Sequence, residues 1–365
     1  MRLTALGSCA LVLACGQGEP APEGPDGPRD DRILSWRFEE VGRVRGPDGA
    51  PLAVTGLTPR QVAVGGDGRI AVVDGDEKRI ILTDAQGTFL QAFGREGSGP
   101  GEFGYPFSVA FDSAGGIEAY DLQRQTRVAF PRDGQPETRA GQDPRRMLRG
   151  GRLAVRRGVS VDSLLYIQAS VRISLAAVHT EPEVAVPSRV CPLVLGQTMA
   201  PLLGPTLVWD TDGEQVAVVE GPGYLIHLRR GIDSVTTLRR PIEPARGSPE
   251  LAGIYLTENW TMQLVGGPAC RFPYRELAEL VGVASQVAVI TEVRLLGEEL
   301  WVRRRRPERA DSAIDVWNIQ QGYLGTLPGE APFPVGPFRG VIAPAIVTDE
   351  DELRYVALFK IVRGP

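Results

Sequence analysis

Residues 59–94 read PRQVAVGGDGRIAVVDGDEKRIILTDAQGTFLQAFG, and residues 106–141 read PFSVAFDSAGGIEAYDLQRQTRVAFPRDGQPETRAG. The two stretches align without a gap at an offset of 47 residues, with eight of 36 positions identical. The matches are Pro59/Pro106, Val62/Val109, Ala63/Ala110, Gly68/Gly115, Ile70/Ile117, Asp74/Asp121, Gly87/Gly134 and Gly94/Gly141. Alternation at Val62 and Val64, then at Ile70 and Val72, marks half-buried strands, and Gly68 and Gly115 punctuate them with tight turns. Each unit therefore reads as four short antiparallel strands. A period in the forties is that of propeller blades.

Weaker copies follow. Asp212-Gly213 precedes Val216-Ala217-Val218, while Leu300-Trp301-Val302 and Ile314-Asp315-Val316-Trp317 outline a unit with a longer hairpin. The last strands lie at 353–358 and 359–362, and 153–195 is strand-rich but matches the pattern poorly. Pro273 followed by Leu277, Leu280 and Val281 has helical spacing, which predicts one short helix inserted between blades. Residues 33–365 divided by the period give about seven units. Insertions at 130–150 and 240–285 remove about one, so the expected fold is an all-β, six-bladed propeller, with seven blades as the alternative. Ring closure should pair residues 33–38 or 43–54 with the C-terminal strands, because an open edge strand invites aggregation.

The link between the two clear units, Phe93-Gly94-Arg95-Glu96-Gly97-Ser98-Gly99-Pro100-Gly101-Glu102-Phe103, followed by Tyr105-Pro106 and Val109-Ala110-Phe111-Asp112, resembles the NHL repeat. Glu102 and Phe103 take the acidic and aromatic link positions of that family. The same segment contains GxGxxG at 99–104, but a dinucleotide site needs a helix after it. Here Pro106 and a strand follow, so it reads as a blade link.

The N-terminus carries different information. Arg2 precedes a twelve-residue apolar run at 3–14, too short for a membrane span of about 20 residues but suited to a signal peptide. The run ends in Val12-Leu13-Ala14-Cys15, which resembles a bacterial lipobox with Cys15 as the lipidated residue. Residues 16–31, GQGEPAPEGPDGPRDD, hold a single apolar residue, Ala21, and should form a solvated tether. Extended at about 3.1 Å per residue, such a tether would reach roughly 50 Å. The expected organisation is thus a signal peptide at 1–14, a lipidated cysteine and tether at 15–32, and a propeller at 33–365. Together with the repeats, the chain resembles bacterial six-bladed β-propeller lipoproteins. That resemblance implies export and attachment to the cell envelope, with Gly16 favouring the outer membrane.

Composition narrows the function. The formal net charge of −5 argues against nucleic acid as a partner, since phosphate binding normally leaves a basic surplus. All but two of the 40 basic residues are arginine, and only two histidines, His179 and His227, occur. Neither histidine has a spaced partner, so no metal or cofactor is expected and no nucleophile constellation emerges. The acidic clusters 210–214 and 348–352 sit where hairpins turn and read as solvated turns. Asp74 and Asp121 recur once per blade, which marks a structural role at strand ends. Cys191 and Cys270 form an even pair in an exported chain; a bridge between them would close about 80 residues and contribute on the order of 4 kcal/mol. Arg303, Arg304, Arg305 and Arg306 precede Pro307 on a long hairpin. Pro307 favours a turn, where exposed guanidinium forks would suit an anionic partner.

These features point to a monomeric, membrane-tethered binding or scaffolding propeller that recognises a protein, peptide or glycan through its loop face. The alternative is a metal-dependent hydrolase or lyase acting in the channel, as in lactonase-like propellers. Replacing Cys15 with Ser should move the chain from the membrane fraction to the soluble one, as followed by fractionation and immunoblotting; unchanged membrane association would refute lipid anchoring.

Overall fold

A computed structural model describes residues 23–148, 151–157, 161–168, 171–185, 198–230, 234–256, 259–263, 269–337, 342–351 and 353–364. Both repeat copies form four-stranded antiparallel sheets. Blade 1 comprises Val62–Val64, Ile70–Asp74, Arg79–Thr83 and Phe89–Phe93; blade 2 comprises Pro106–Phe111, Ile117–Asp121, Thr126–Phe130 and Glu137–Ala140. The repeat extends to the backbone of non-identical residues: Lys78 and Gln125, 47 positions apart, both adopt left-handed φ, of 53° and 54°. Each lies in the turn capped by the shared aspartate. Asp74 accepts from the Glu77 N–H at 3.3 Å and from Arg79 Nε at 2.9 Å. Asp121 accepts from the N–H groups of Gly104, Tyr105 and Arg124 at 2.6, 3.2 and 3.1 Å. The aspartates satisfy backbone donors that the turn would otherwise leave open.

Four further blades complete the ring. Blade 3 holds Met147–Leu148, Gly151–Arg156, Val161–Gln168 and Val171–His179; blade 4 holds Trp209–Thr211, Gln215–Val219, Leu225–Arg230 and Ser234–Arg239. Blade 5 holds Ile290–Leu296, Glu299–Arg306, Asp311–Asn318 and Gly322–Pro328. Blade 6 has three strands, Ile342–Thr348, Arg354–Val362 and Arg37–Arg43. The ring therefore closes through the N-terminal strand, at the junction of the two segments expected to do so, with Val54 also bridging Arg354. The expected insertion at 130–150 is not one. Those residues supply the fourth strand of blade 2 and the start of blade 3. The insert between blades 4 and 5 carries the expected helix, α2 (Tyr274–Val281), and a second one, α1 (Pro249–Tyr255), capped by Ser248.

Apolar faces of neighbouring sheets supply the core. Ile80, Val109, Ile117 and Val128 fill the space between blades 1 and 2, and Ile226, Leu238, Val302 and Trp317 that between blades 4 and 5. The blade link is packed rather than loose: Phe103 is fully buried, and its ring stands where a side chain on Gly94, at φ +80°, would have to go.

The N-terminal segment departs from the expected solvated tether from residue 23 onward. Glu23–Asp26 adds a parallel strand to the outer edge of blade 4, and Ile33 bridges Thr326 on the outer strand of blade 5 before the chain enters blade 6. Between these points the strap crosses Arg240. The Arg240 guanidinium donates to Asp315 Oδ2 at 2.7 Å, to the carbonyls of Pro28, Arg29 and Asp30 at 2.9, 3.2 and 3.1 Å, and to Asp31 Oδ1 at 3.0 Å. Arg304 Nε donates to Asp315 Oδ2 at 2.8 Å, and its Nη2 bonds Asp31 Oδ1. Arg306 Nη1 lies 3.4 Å from Asp31 Oδ2. Gly27 makes this approach feasible, because a Cβ there would fall 2.7 Å from Arg240 Cγ and 2.8 Å from the Trp317 ring. An acidic, proline-rich sequence looks solvated when read alone. Here its charge and its carbonyls are taken up by buried arginines.

Partial burial pushes the Asp31 carboxyl up, but Arg304, Arg240 and Arg306 outweigh it and hold the group below its ordinary value. A carboxyl with a depressed folded value contributes stability above its unfolded value, near 3.8, and that contribution is lost as pH falls through the folded value. Asp31→Asn should therefore cost about 2–4 kcal/mol at neutral pH, as expected for breaking a largely buried ion pair. In urea unfolding, the gap between variant and parent should shrink in acid; a gap independent of pH would refute the latch.

Candidate functional site

One pocket gathers residues from the first strands of two blades and from the turns just ahead of the first strands of two others. Arg60 comes from the turn Pro59–Gln61 ahead of blade 1, a turn secured by the Gln61 side chain accepting from the Thr58 N–H at 2.8 Å. Asp143, Arg145 and Arg146 come from the turn that opens blade 3, Trp209 and Asp210 from blade 4, and Arg294 from blade 5. With Pro59 they line a pocket of about 140 Å³. On the far side of Arg145, which borders both spaces, a hollow of about 820 Å³ opens among the turns that end these strands.

The two carboxylates at this rim are tied down. Asp143 Oδ1 accepts from Ser108 Oγ at 2.6 Å and from the Arg145 N–H at 3.0 Å. Asp210 Oδ2 accepts from the Leu295 N–H at 2.9 Å, and its Oδ1 lies 4.0 Å from Arg294 Nη1. Arg145 Nη1 donates to the carbonyls of Pro59 and Val62, both at 2.7 Å, so a cation from blade 3 closes the seam with blade 1 across the axis. Arg294 donates to Glu292 at 2.6 Å and to the Val293 carbonyl at 2.8 Å, while its buried Nε has no hydrogen-bond partner. Burial lowers the pKa of both Arg60 and Arg145. Asp143 opposes the effect at Arg60 and Asp210 at Arg145, while neighbouring arginines add to it at both. Guanidinium groups stay charged in proteins, so these shifts register first the burial of the two charges and only then their arginine neighbours.

The arginine run expected at an exposed turn lies instead in the strand Glu299–Arg306, paired on both sides. Alternation sends its side chains to opposite faces. Arg304 and Arg306, 2% and 7% exposed, join the strap latch and, for Arg306, Asp311 at 2.8 Å. Arg303 donates to the Gly329 carbonyl at 3.0 Å and stands 4.7 Å from the Phe333 ring, and Arg305 donates to the Ala288 carbonyl at 2.7 Å. Pro307 begins the turn, after the run has ended.

Other singled-out residues take structural places. Asp212 and Asp349 each accept two backbone N–H groups across their turns, as solvated hairpins do. Asp210, grouped with Asp212 in sequence, separates from it and faces the axis. Glu102 accepts from the Gly99 N–H at 2.7 Å and from Arg95 Nε at 2.8 Å, which fits the blade-link reading of the glycine-rich segment. His227 sits in blade 4 with Nδ1 3.2 Å from Thr237 Oγ1 and Nε2 bonded to Glu220. Cys15 and Cys191 lie outside the described residues, so the lipidation and the Cys191–Cys270 bridge remain expectations. Arg60, Arg145, Arg146 and Arg294 were not anticipated as a group.

No protein-family model matches this sequence, and no curated protein matches it. Solved structures align with most of the chain. A Bacteroides fragilis protein described as exported aligns over 93% of this chain and 99% of its own, at 10% identity and a TM-score of 0.48. A DUF4221 family member from Bacteroides vulgatus aligns over 90% and 99%, at 10% identity and a TM-score of 0.42. A Xanthomonas campestris gluconolactonase aligns over 90% of each chain, at 10% identity and a TM-score of 0.36. Likeness at this level carries no statement about activity.

Arg145→Met keeps the apolar stem but removes a charged donor from two carbonyls, of which that of Pro59 keeps the Val62 N–H. It should cost about 1–3 kcal/mol in urea unfolding, the range for leaving buried polar groups unsatisfied; an unchanged midpoint would show that the axial contact does not hold the ring.

Proposed function

We propose that this chain is a lipid-tethered propeller of the bacterial cell envelope that binds a protein, peptide or glycan at the rim pocket lined by Arg60, Arg145, Arg146 and Arg294, without chemistry on what it binds. The observation that carries this reading is the charge of the axis. Four guanidinium groups stand at the rim against two carboxylates already engaged by other donors. Arginine is suited to holding ligands, since its planar fork forms paired charge-assisted hydrogen bonds and it does not give up its proton near neutral pH.

The same charge weighs against a metal-dependent hydrolase or lyase working at this rim. Two unit charges about 4 Å apart interact by about 4 kcal/mol at an effective dielectric constant near 20. A divalent ion among these arginines would meet repulsion of several times that size. Export and lipid attachment belong to the reading through the apolar run at 3–14 and Cys15.

The test has two arms. Immobilised full chain should retain members of a peptide and glycan array, and calcium, magnesium or zinc at matched ionic strength should produce no saturable shift in Tm. Saturable metal stabilisation together with metal-dependent turnover of lactones or esters would overturn the binding reading in favour of the channel enzyme.

A further inference from the structure

We infer that the axial rim pocket is an oxyanion site, built to take a compact group bearing two negative charges, such as the head of a phosphate monoester. The inference rests on the binding reading above for its location and goes beyond it in naming the chemistry of the ligand.

Charge is the first argument. Arg60, Arg145, Arg146 and Arg294 face Asp143 and Asp210, and with Glu292 paired to Arg294 the site keeps one positive charge in surplus on a chain whose total is −5. Three of the four arginines have no close carboxylate among the described residues. Among the described residues, no ion pair holds Arg60, Arg145 or Arg146, and Arg294 reaches Asp210 only at 4.0 Å, its close carboxylate being Glu292. The aspartates themselves are committed to Ser108 and to the backbone of Arg145 and Leu295. Like charges gathered in a partly desolvated site cost stability in the empty protein, and a dianion would turn that repulsion into attraction.

Donor inventory and size are the second argument. Arg60 has no hydrogen-bond partner for its guanidinium among the described residues; its contact there is with the Phe107 ring, 5.8 Å away. The Arg146 side chain likewise has no such partner, and Arg294 Nε is buried without one. These open donors come from blades 1, 3 and 5 and meet around one space. At roughly 30 Å³ per water in the liquid, 140 Å³ is the room of about four or five waters, enough for a tetrahedral oxyanion and the first atoms of its substituent. Pro59 and Trp209 give the pocket an apolar wall against which such a substituent would rest.

The test uses calorimetric titration of the full chain at low salt with inorganic phosphate and with phenyl phosphate, and with acetate and malonate for comparison. Both phosphates should bind saturably and more tightly than either carboxylate, with affinity falling as sodium chloride is raised. A preference for phenyl phosphate would assign the site to an esterified head group, and equal affinity would assign it to free phosphate. The double variant Arg60→Gln/Arg146→Gln should lose at least about tenfold in affinity, the scale of one charge-assisted hydrogen bond. Neither guanidinium supports the backbone and their removal relieves like-charge repulsion, so its Tm should equal or exceed that of the parent. Phosphate binding that is absent, no tighter than malonate, or unchanged in the double variant would overturn the inference. If phosphate fails while array ligands still bind, the oxyanion chemistry alone is overturned and the binding reading survives.

Discussion

A ring of sheets holds its shape only if the first part of the chain is kept beside the last, and in this protein that constraint converges on the Arg240 guanidinium. It draws the strap inward through three successive carbonyls and the Asp31 carboxylate, and it meets Asp315 on the neighbouring blade. The strap then delivers Arg37–Arg43 to the C-terminal sheet in register with Arg354–Val362. Buried charges are costly unless every donor and acceptor is engaged. Here Thr326 donates to the second Asp315 oxygen at 2.7 Å, and the Tyr323 ring lies 4.5 Å from the Arg240 guanidinium carbon. The network is thus as fully paired as a buried network must be, and it specifies one path for the strap.

Sixfold repetition of sheets and the lack of it on the axis serve different ends. Asp74 and Asp121 solve the same turn problem twice, with the same residue at the same offset. The rim is built from unlike pieces: a short turn ahead of blade 1, another ahead of blade 3, and strand residues from blades 4 and 5. Asymmetry on a pseudo-symmetric axis lets arginines from blades 1, 3 and 5 meet in one pocket. The scaffold therefore sets where the rim is, while a few unrelated side chains set what it attracts.

The repeat was legible because its determinants are local. Alternating apolar residues, turn glycines and capping aspartates act within a few positions, so the blade unit and α2 follow from reading along the chain. The count of six came out although one of the two insertions subtracted to reach it, 130–150, belongs to the blades. Features that depend on distant partners were not legible. Arg60, Arg145 and Arg294 lie far apart in sequence and look like ordinary members of an arginine-rich composition until the ring brings blades 1, 3 and 5 together. Four consecutive arginines read as an exposed tip because nothing near them announces Asp31, more than 270 positions earlier. The same distance hid the docking of the acidic strap. α1 did carry a local signal, Ser248-Pro249 at its start, but its seven residues offered too little periodicity to stand out.

The strap also determines how the molecule answers to force. Tension applied ahead of Glu23 cannot reach the closing strand directly, because the attachments lie in series along the chain. The parallel pairing with blade 4 must yield first, then the grip of Arg240 on residues 28–31, then the bridge from Ile33 to Thr326. Only after all three have given way does pull act on Arg37–Arg43 and open the ring. A propeller with this route has sacrificial links ahead of its seal, and each can re-form once the load is released.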